Sequence, residues 1–133
     1  MNLVDELLKA DSKSISDLKK DIFRSERLGE IIGKEFVDVE IQEIPTRRFN
    51  DIVSYQVTSN GNIDFSKSFD AKLMLIIEGV SNPDLKDKKL QEHFGVMTAK
   101  DLAEKLFARE VNALSDKITN LSGIEADDEV IKN

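Results

Sequence analysis

The chain has 133 residues, a net charge of −7 and no cysteine, and its length suits one domain with a moderate core. The lack of cysteine excludes disulfides, thiolate metal ligands and thiol nucleophiles. The acidic charge disfavours nucleic-acid binding, and no apolar run approaches the roughly 20 residues of a membrane span. The N-terminus has no basic region ahead of an apolar one, as a signal peptide would. We therefore expect a cytoplasmic protein.

The N-terminal third predicts short helical segments around a β element. Residues 2–10 carry apolar side chains at helical spacing, which are Leu3, Val4, Leu7 and Leu8. This spacing predicts a short amphipathic helix, which the polar residues 11–14 interrupt. Residues 24–33 are interpreted as a loop or a single helical turn that ends at Gly29 or Gly33.

The clearest strand in the sequence runs from Phe36 to Ile44. Its apolar residues alternate with polar ones and are Val37, Val39 and Ile41. The alternation predicts one buried and one solvated face, and Pro45 ends the strand because proline cannot donate to the ladder. A single strand needs a partner. Residues 20–26 are the nearest candidate, as a hairpin with a long connection.

From Thr46 onward the hydrophobic period is helical. The first stripe consists of Phe49, Ile52, Val53 and Val57. Residues 59–62 form a turn, and a longer helix is predicted to begin at Asp64 or Ser66. The apolar face of this helix is expected to consist of Phe65, Phe69, Leu73, Ile76, Ile77 and Val80. Its apolar content predicts that it is the buried central helix.

Helix caps mark the last third of the chain. The Asn-Pro-Asp run at 82–84 predicts one helix start, with a side-chain cap, a proline and an acid in the first turn. Thr98, followed three residues later by Asp101, predicts a second start. His93 suits the last turn of the first of these helices, and Gly95 suits its stop.

The chain is predicted to be mostly α, with a short β-hairpin or β element in the N-terminal third (α+β). Residues 1–123 are expected to form one domain, since no internal repeat or low-complexity linker divides them. Residues 124–133 hold four acids and one lysine, a charge of −3, without a helical stripe. They are expected to form a disordered acidic tail.

No residue pattern indicates catalysis, a cofactor or a metal. Residues 60–64 have the spacing of the first three calcium-loop ligands, but Phe65 replaces the required glycine and Ala71 the bidentate glutamate. His93 is the single histidine and has no nucleophile of standard type to serve. We therefore expect a protein that is not an enzyme.

Apolar helix faces are the remaining candidates for function. The stripe at 111–121 is narrow and suits one partner helix, although packing within the chain is the commoner role of such stripes. The segment 83–94 has few apolar anchors, so it is expected to be loosely held and able to bind a partner. The predicted interface residues, each with ordinary core packing as the alternative, are Leu85, Leu90, Phe94, Val111, Leu114, Ile118 and Leu121.

Several short runs share their order and spacing with a known family. They are Leu7-Leu8-Lys9-Ala10-Asp11, Gly33-Lys34-Glu35-Phe36, Leu75-Ile76-Ile77-Glu78-Gly79-Val80, Asn82-Pro83-Asp84-Leu85-Lys86, Leu90-Gln91-Glu92 with Phe94-Gly95, Thr98-Ala99-Lys100-Asp101-Leu102 with Lys105-Leu106, and Ile118 with Leu121-Ser122-Gly123. Together they resemble the XkdN-type phage tail assembly chaperones, and the prophage-borne, YqbN-type members most of all. The resemblance spans residues 3–123.

The resemblance implies a role in building the tail tube of a phage or prophage. Chaperones of this type are thought to coat the aggregation-prone tape measure protein until tube subunits polymerise around it, and to be absent from the finished tail. The implied partner is therefore the tape measure protein, in the host cytoplasm. The tail tube protein is kept open as a further partner, and so is a second copy of the chain. Many members of the family also have a longer, frameshifted form.

One segment departs from the family pattern. Ala108-Arg109-Glu110 stands where relatives often have a glycine-containing break, so a helix that continues from Ala99 to Leu121 is expected here. Two other functions are kept as alternatives. They are a structural tail or tail-completion protein, and a small acidic adaptor protein.

Overall fold

The structure is a computed structural model that describes residues 2–124. Its helices are α1 (Leu3–Leu8), α2 (Glu26–Ile32), α3 (Thr46–Ser54), α4 (Phe65–Gly79), α5 (Lys88–His93), α6 (Ala99–Phe107) and α7 (Val111–Leu121). Its strands are β1 (Lys20–Ser25), β2 (Val37–Gln42) and β3 (Val80–Asn82), and short 3-10 helices cover Ser14–Ser16 and Ala108–Glu110. The predicted fold class, mostly helical α+β, is confirmed. The predicted acidic tail lies outside the described residues, apart from Ile124.

The three strands form one antiparallel sheet with β2 in the centre. The predicted pairing of 20–26 with the central strand is confirmed, with Ser25 opposite Val37. The predicted helix start at 82–84 is wrong, because 80–82 is the third strand and pairs with β2. The next helix is α5, where Asp87 accepts a hydrogen bond from the Leu90 N–H at 3.0 Å.

Helix α4 is the central helix and packs against α7, α6 and α3. The prediction of its role is confirmed, but its apolar face is only partly right, because Phe65 is 83% and Phe69 is 41% exposed. Buried residues occur in α4 only from Ala71 onward. At its other end, a Cβ on Gly79 would lie 2.5 Å from the side chain of Ile118 in α7. A small residue is therefore needed where the two helices meet.

The prediction that residues 24–33 form a loop or a single helical turn is wrong. Strand β1 continues to Ser25, and helix α2 follows directly and ends at Gly33, whose φ is +79°. The Ser25 hydroxyl oxygen accepts a hydrogen bond from the Leu28 N–H at 3.0 Å and so caps α2. The side chain of Ser25 is fully buried, which ties this cap to the core.

The continuous helix predicted from 99 to 121 is also wrong. Ala108 has φ +45° and ψ −115°, and the 3-10 helix Ala108–Glu110 separates α6 from α7. The break places the Glu110 carboxylate at the start of α2, where it accepts hydrogen bonds from the Ser25 hydroxyl at 2.6 Å and from the Glu26 N–H at 3.0 Å. The chain turns at Ala108 without a glycine, and the carboxylate completes the cap of a distant helix.

Other predicted boundaries are confirmed. Thr98 accepts a hydrogen bond from the Asp101 N–H at 3.1 Å, Asp64 caps α4, and Gly95 follows α5 with φ +70°. Helix α1 is present, capped by Asn2, but none of its residues is buried. Val57 lies beyond α3 and forms an isolated bridge with Ile63.

Candidate functional site

An apolar groove lies between α2 and α5 and has a volume of about 430 Å³. This is the size of a typical binding pocket. Helix α6 and the start of β2 also contribute to it. Its lining residues are Leu28, Ile31, Ile32, Val37, Asp38, Asn82, Pro83, Leu90, His93, Phe94 and Leu106. Eight of these eleven are apolar, so the groove can bind an apolar segment better than a polar ligand.

One wall of the groove is the C-terminal end of α2. A Cβ on Gly29 would lie 2.7 Å from the Lys34 carbonyl oxygen and 2.8 Å from the Phe36 Cα, so the helix packs directly on the chain that leads to β2. This close approach brings Ile31 and Ile32 next to Val37 in the lining. Ile32 stays 57% exposed, which leaves an apolar side chain available at the edge.

The opposite wall is α5, which hydrogen bonds hold at both ends. The buried Gln91 amide donates to the Leu85 carbonyl at 2.9 Å. Lys105 Nζ in α6 donates to the Phe94 carbonyl at 2.8 Å. The His93 and Phe94 rings meet edge to face, with centroids 5.0 Å apart. These contacts attach α5 to Leu85 and to α6, in the segment that the sequence predicted to be loosely held.

Charge at the groove is neutralised locally. Asp38, the one carboxylate of the lining, lies 3.6 Å from the Arg24 Nε, and the Arg24 guanidinium stacks 4.0 Å above the Phe36 ring. An apolar partner would therefore not desolvate an unpaired carboxylate there.

The predicted interface residues divide between the groove and the core. Leu90 and Phe94 line the groove, and Leu121 is half-buried against the core. The other four are fully or almost fully buried in the folded chain and are Leu85, Val111, Leu114 and Ile118. As an interface the whole set stays a prediction, and only part of it is accessible in the fold described.

The predicted interface residues include two of the eleven that line the groove, Leu90 and Phe94. Ile31 and Ile32 fell in a segment interpreted as a loop or a single helical turn, and Leu106 was assigned to a helix face without a site. The signal that could have identified α2 is the apolar pair before Gly33, because a glycine commonly follows the last turn of a helix.

Two carboxylates with shifted pKa values lie outside this groove. The Ser66 hydroxyl and N–H donate to Asp64 and lower the pKa of its carboxyl, as expected for a helix cap. The hydrogen bond and charge of Arg109 lower the pKa of Glu30. Among residues 2–124, no group of three or more His, Asp or Glu side chains could hold a metal ion. Within the same range, no helix is long and apolar enough to span a bilayer.

Fold and groove together define a small α+β domain with an open apolar groove on its surface. The chain matches the family described as phage XkdN-like tail assembly chaperone protein over residues 4–132. The chain belongs to this family, and the resemblance predicted from its sequence is confirmed. No curated protein matches it. A crystal structure of the protein YqbN shares the fold, with TM-score 0.60 and 16% identity, covering 87% of this chain and 98% of that chain.

Proposed function

We propose that this tail assembly chaperone binds the tape measure protein of a phage or prophage and keeps it soluble until the tail tube is built. It acts by binding rather than catalysis, in the host cytoplasm, and is absent from the finished tail. The supporting observation is the groove between α2 and α5, an open apolar surface on an otherwise acidic chain. Such surfaces commonly bind amphipathic segments of partner proteins.

The groove offers both anchors and a rigid base for an apolar client segment. Ile32, Leu90 and Phe94 are partly or largely exposed, so their remaining surface can be buried by a client. Leu106 beneath them is only 4% exposed and belongs to the core. The net charge of −7 keeps the complex soluble while apolar client segments are covered.

Pull-down of tape measure segments by groove variants tests this proposal. Ile32→Asp puts a carboxylate against the client, which should weaken binding about tenfold or more, as at an interface anchor. Ile63→Asp is the matched control, because Ile63 is 52% exposed, close to the 57% of Ile32, and lies outside the groove. Circular dichroism checks that both variants stay folded.

Equal binding by both variants would contradict the groove as the client site. If the chain remains in finished tails at the stoichiometry of a tube subunit, the chaperone role itself fails and a structural tail protein replaces it. The tail tube protein stays a predicted further partner. Among the predicted interface residues, the proposal rests on Leu90 and Phe94.

A further inference from the structure

Helix α1 is an amphipathic helix without a partner in its own chain. Its apolar side chains, which are between 62% and 78% exposed, are Leu3, Val4, Leu7 and Leu8. Residues 9–17 after it are exposed as well. Residues 2–17 therefore form an arm outside the folded body, which we define as residues 18–124.

A helix as short as α1 needs a surface to cover it. The Asn2 side chain accepts a hydrogen bond from the Val4 N–H at 3.0 Å and starts the helix. Helices shorter than about 12 residues are nevertheless marginal in water without tertiary packing, and α1 has six residues. Leu3 with Leu7 and Val4 with Leu8 are spaced four residues apart and form one apolar face of the helix. A groove between two helices can bind such a face.

The groove between α2 and α5 has the matching properties. It is apolar and open, and Ile32 leaves more than half of its surface at the edge. Helix α5, one wall of the groove, begins with exposed Lys88 and Lys89. They are opposite in charge to Asp5 and Glu6 of α1, of which Glu6 also lies 3.6 Å from Lys9. We propose that the groove binds helix α1 of a second copy of this chain.

The position of the arm favours a second copy over its own groove. The Lys19 and Glu43 backbones are hydrogen-bonded at 2.8 Å, which fixes the base of the arm at the Gln42 end of β2. Val37, which lines the groove, is at the other end, about 16 Å away along the strand. The linker is shortened by the 3-10 helix Ser14–Ser16. No residue of α1 lines the groove of its own chain in the structure described, so a second copy can receive α1 with the arm kept as it is, and reciprocal exchange gives a closed two-fold dimer.

This docking gives the groove an occupant when no client is present. Competition between α1 and the tape measure protein rests on the proposed function, whereas docking of α1 does not. The chaperone would then exchange one apolar helix for another, and its own groove would stay covered until a client arrives.

Engineered cysteines test the docking, since the natural chain has none. A Leu8→Cys variant is mixed with an Ile32→Cys variant and, as control, with an Ile63→Cys variant, without any client. Under mild oxidation we expect a covalent heterodimer with the groove variant, several-fold above the control. A double variant with Leu8→Cys and Ile32→Cys that closes only within one chain would overturn the exchange between copies.

The molar mass in solution provides a second test, with substitutions that lie in the arm and leave the folded body unchanged. The natural chain should have twice its mass of 15.0 kDa, and Leu7→Asp with Leu8→Asp should return it to the monomer. A natural chain that is monomeric at several hundred micromolar overturns the proposal. Binding of the client by that same monomer would leave the proposed function intact, so the two failures are distinguishable.

Discussion

Replacing Ala108 by glycine is predicted to stabilise the protein. Ala108 holds φ +45° and ψ −115°, a region that costs a non-glycine residue about 1–3 kcal/mol. Glycine removes this cost but stabilises the unfolded state by about 0.4–1 kcal/mol through its greater conformational entropy. Loss of the partly buried alanine methyl group lowers stability by at most about 0.8 kcal/mol. The net gain is about 1 kcal/mol, which raises Tm by about 4 °C for a domain of this size.

The assay is thermal and urea unfolding of Ala108→Gly beside Ala113→Gly. Ala113 is exposed inside α7, where the same change should lower stability by about 1 kcal/mol because glycine disfavours the helix. The two variants should therefore move in opposite directions. Equal destabilisation by both would refute the strained turn at Ala108, and a helix that continues through it would then be the better description.

Three further substitutions probe the contacts that hold the fold. Gly79→Ala should lower stability in urea unfolding by about 1–3 kcal/mol through the clash with Ile118, and it should cost less in an Ile118→Ala background, where the side-chain atoms that meet the new Cβ are gone. Glu110→Ala removes the acceptor of the Ser25 hydroxyl and the Glu26 N–H and should cost about 1–3 kcal/mol in the same assay; an unchanged midpoint would exclude a contribution of Glu110 to the cap. Arg109 holds the pKa of Glu30 below 4.5, so the pair stabilises the fold above that pH and loses its effect as the pH falls. Arg109→Gln should therefore destabilise at pH 7 and less at pH 3, and the same loss at both would contradict the pairing.

Local patterns predicted the pairing of β1 with β2 and several helix ends. The alternation of 37–42 and the proline after it specify a strand with one buried face, and its nearest extended neighbour, Lys20–Ser25, is its partner. The caps at Asp64 and Thr98 act within three residues of the backbone they satisfy. Such short-range features are readable without the fold.

The elements that prediction missed depend on contacts between distant residues. The cap of α2 is completed by Glu110, which is 85 residues away from Ser25. Strand β3 has three residues, too few to show an alternation, and the Asn-Pro-Asp run beside it has the composition of a helix start. The stripe through Phe65 and Phe69 correctly follows one side of α4, but periodicity does not show how far neighbouring helices cover it.

The candidate site was predictable only in part for the same reason. Leu90 and Phe94 are spaced on one side of a short helix, which made them recognisable as anchors. Ile31 and Ile32 join them only because α2 packs beside β2 at Gly29. A groove assembled from segments some sixty residues apart needs the tertiary structure.

Amide hydrogen exchange of the Leu7→Asp, Leu8→Asp double variant, in which α1 cannot cover the groove, with and without the tape measure protein from the same tail gene cluster, tests the central claim most directly. The proposed groove predicts that the client slows exchange in α2 (Glu26–Ile32) and α5 (Lys88–His93), whose side chains form its two walls. Exchange in α3 (Thr46–Ser54), which does not line the groove, should stay unchanged. Unchanged exchange in α2 and α5 at saturating client would contradict the account.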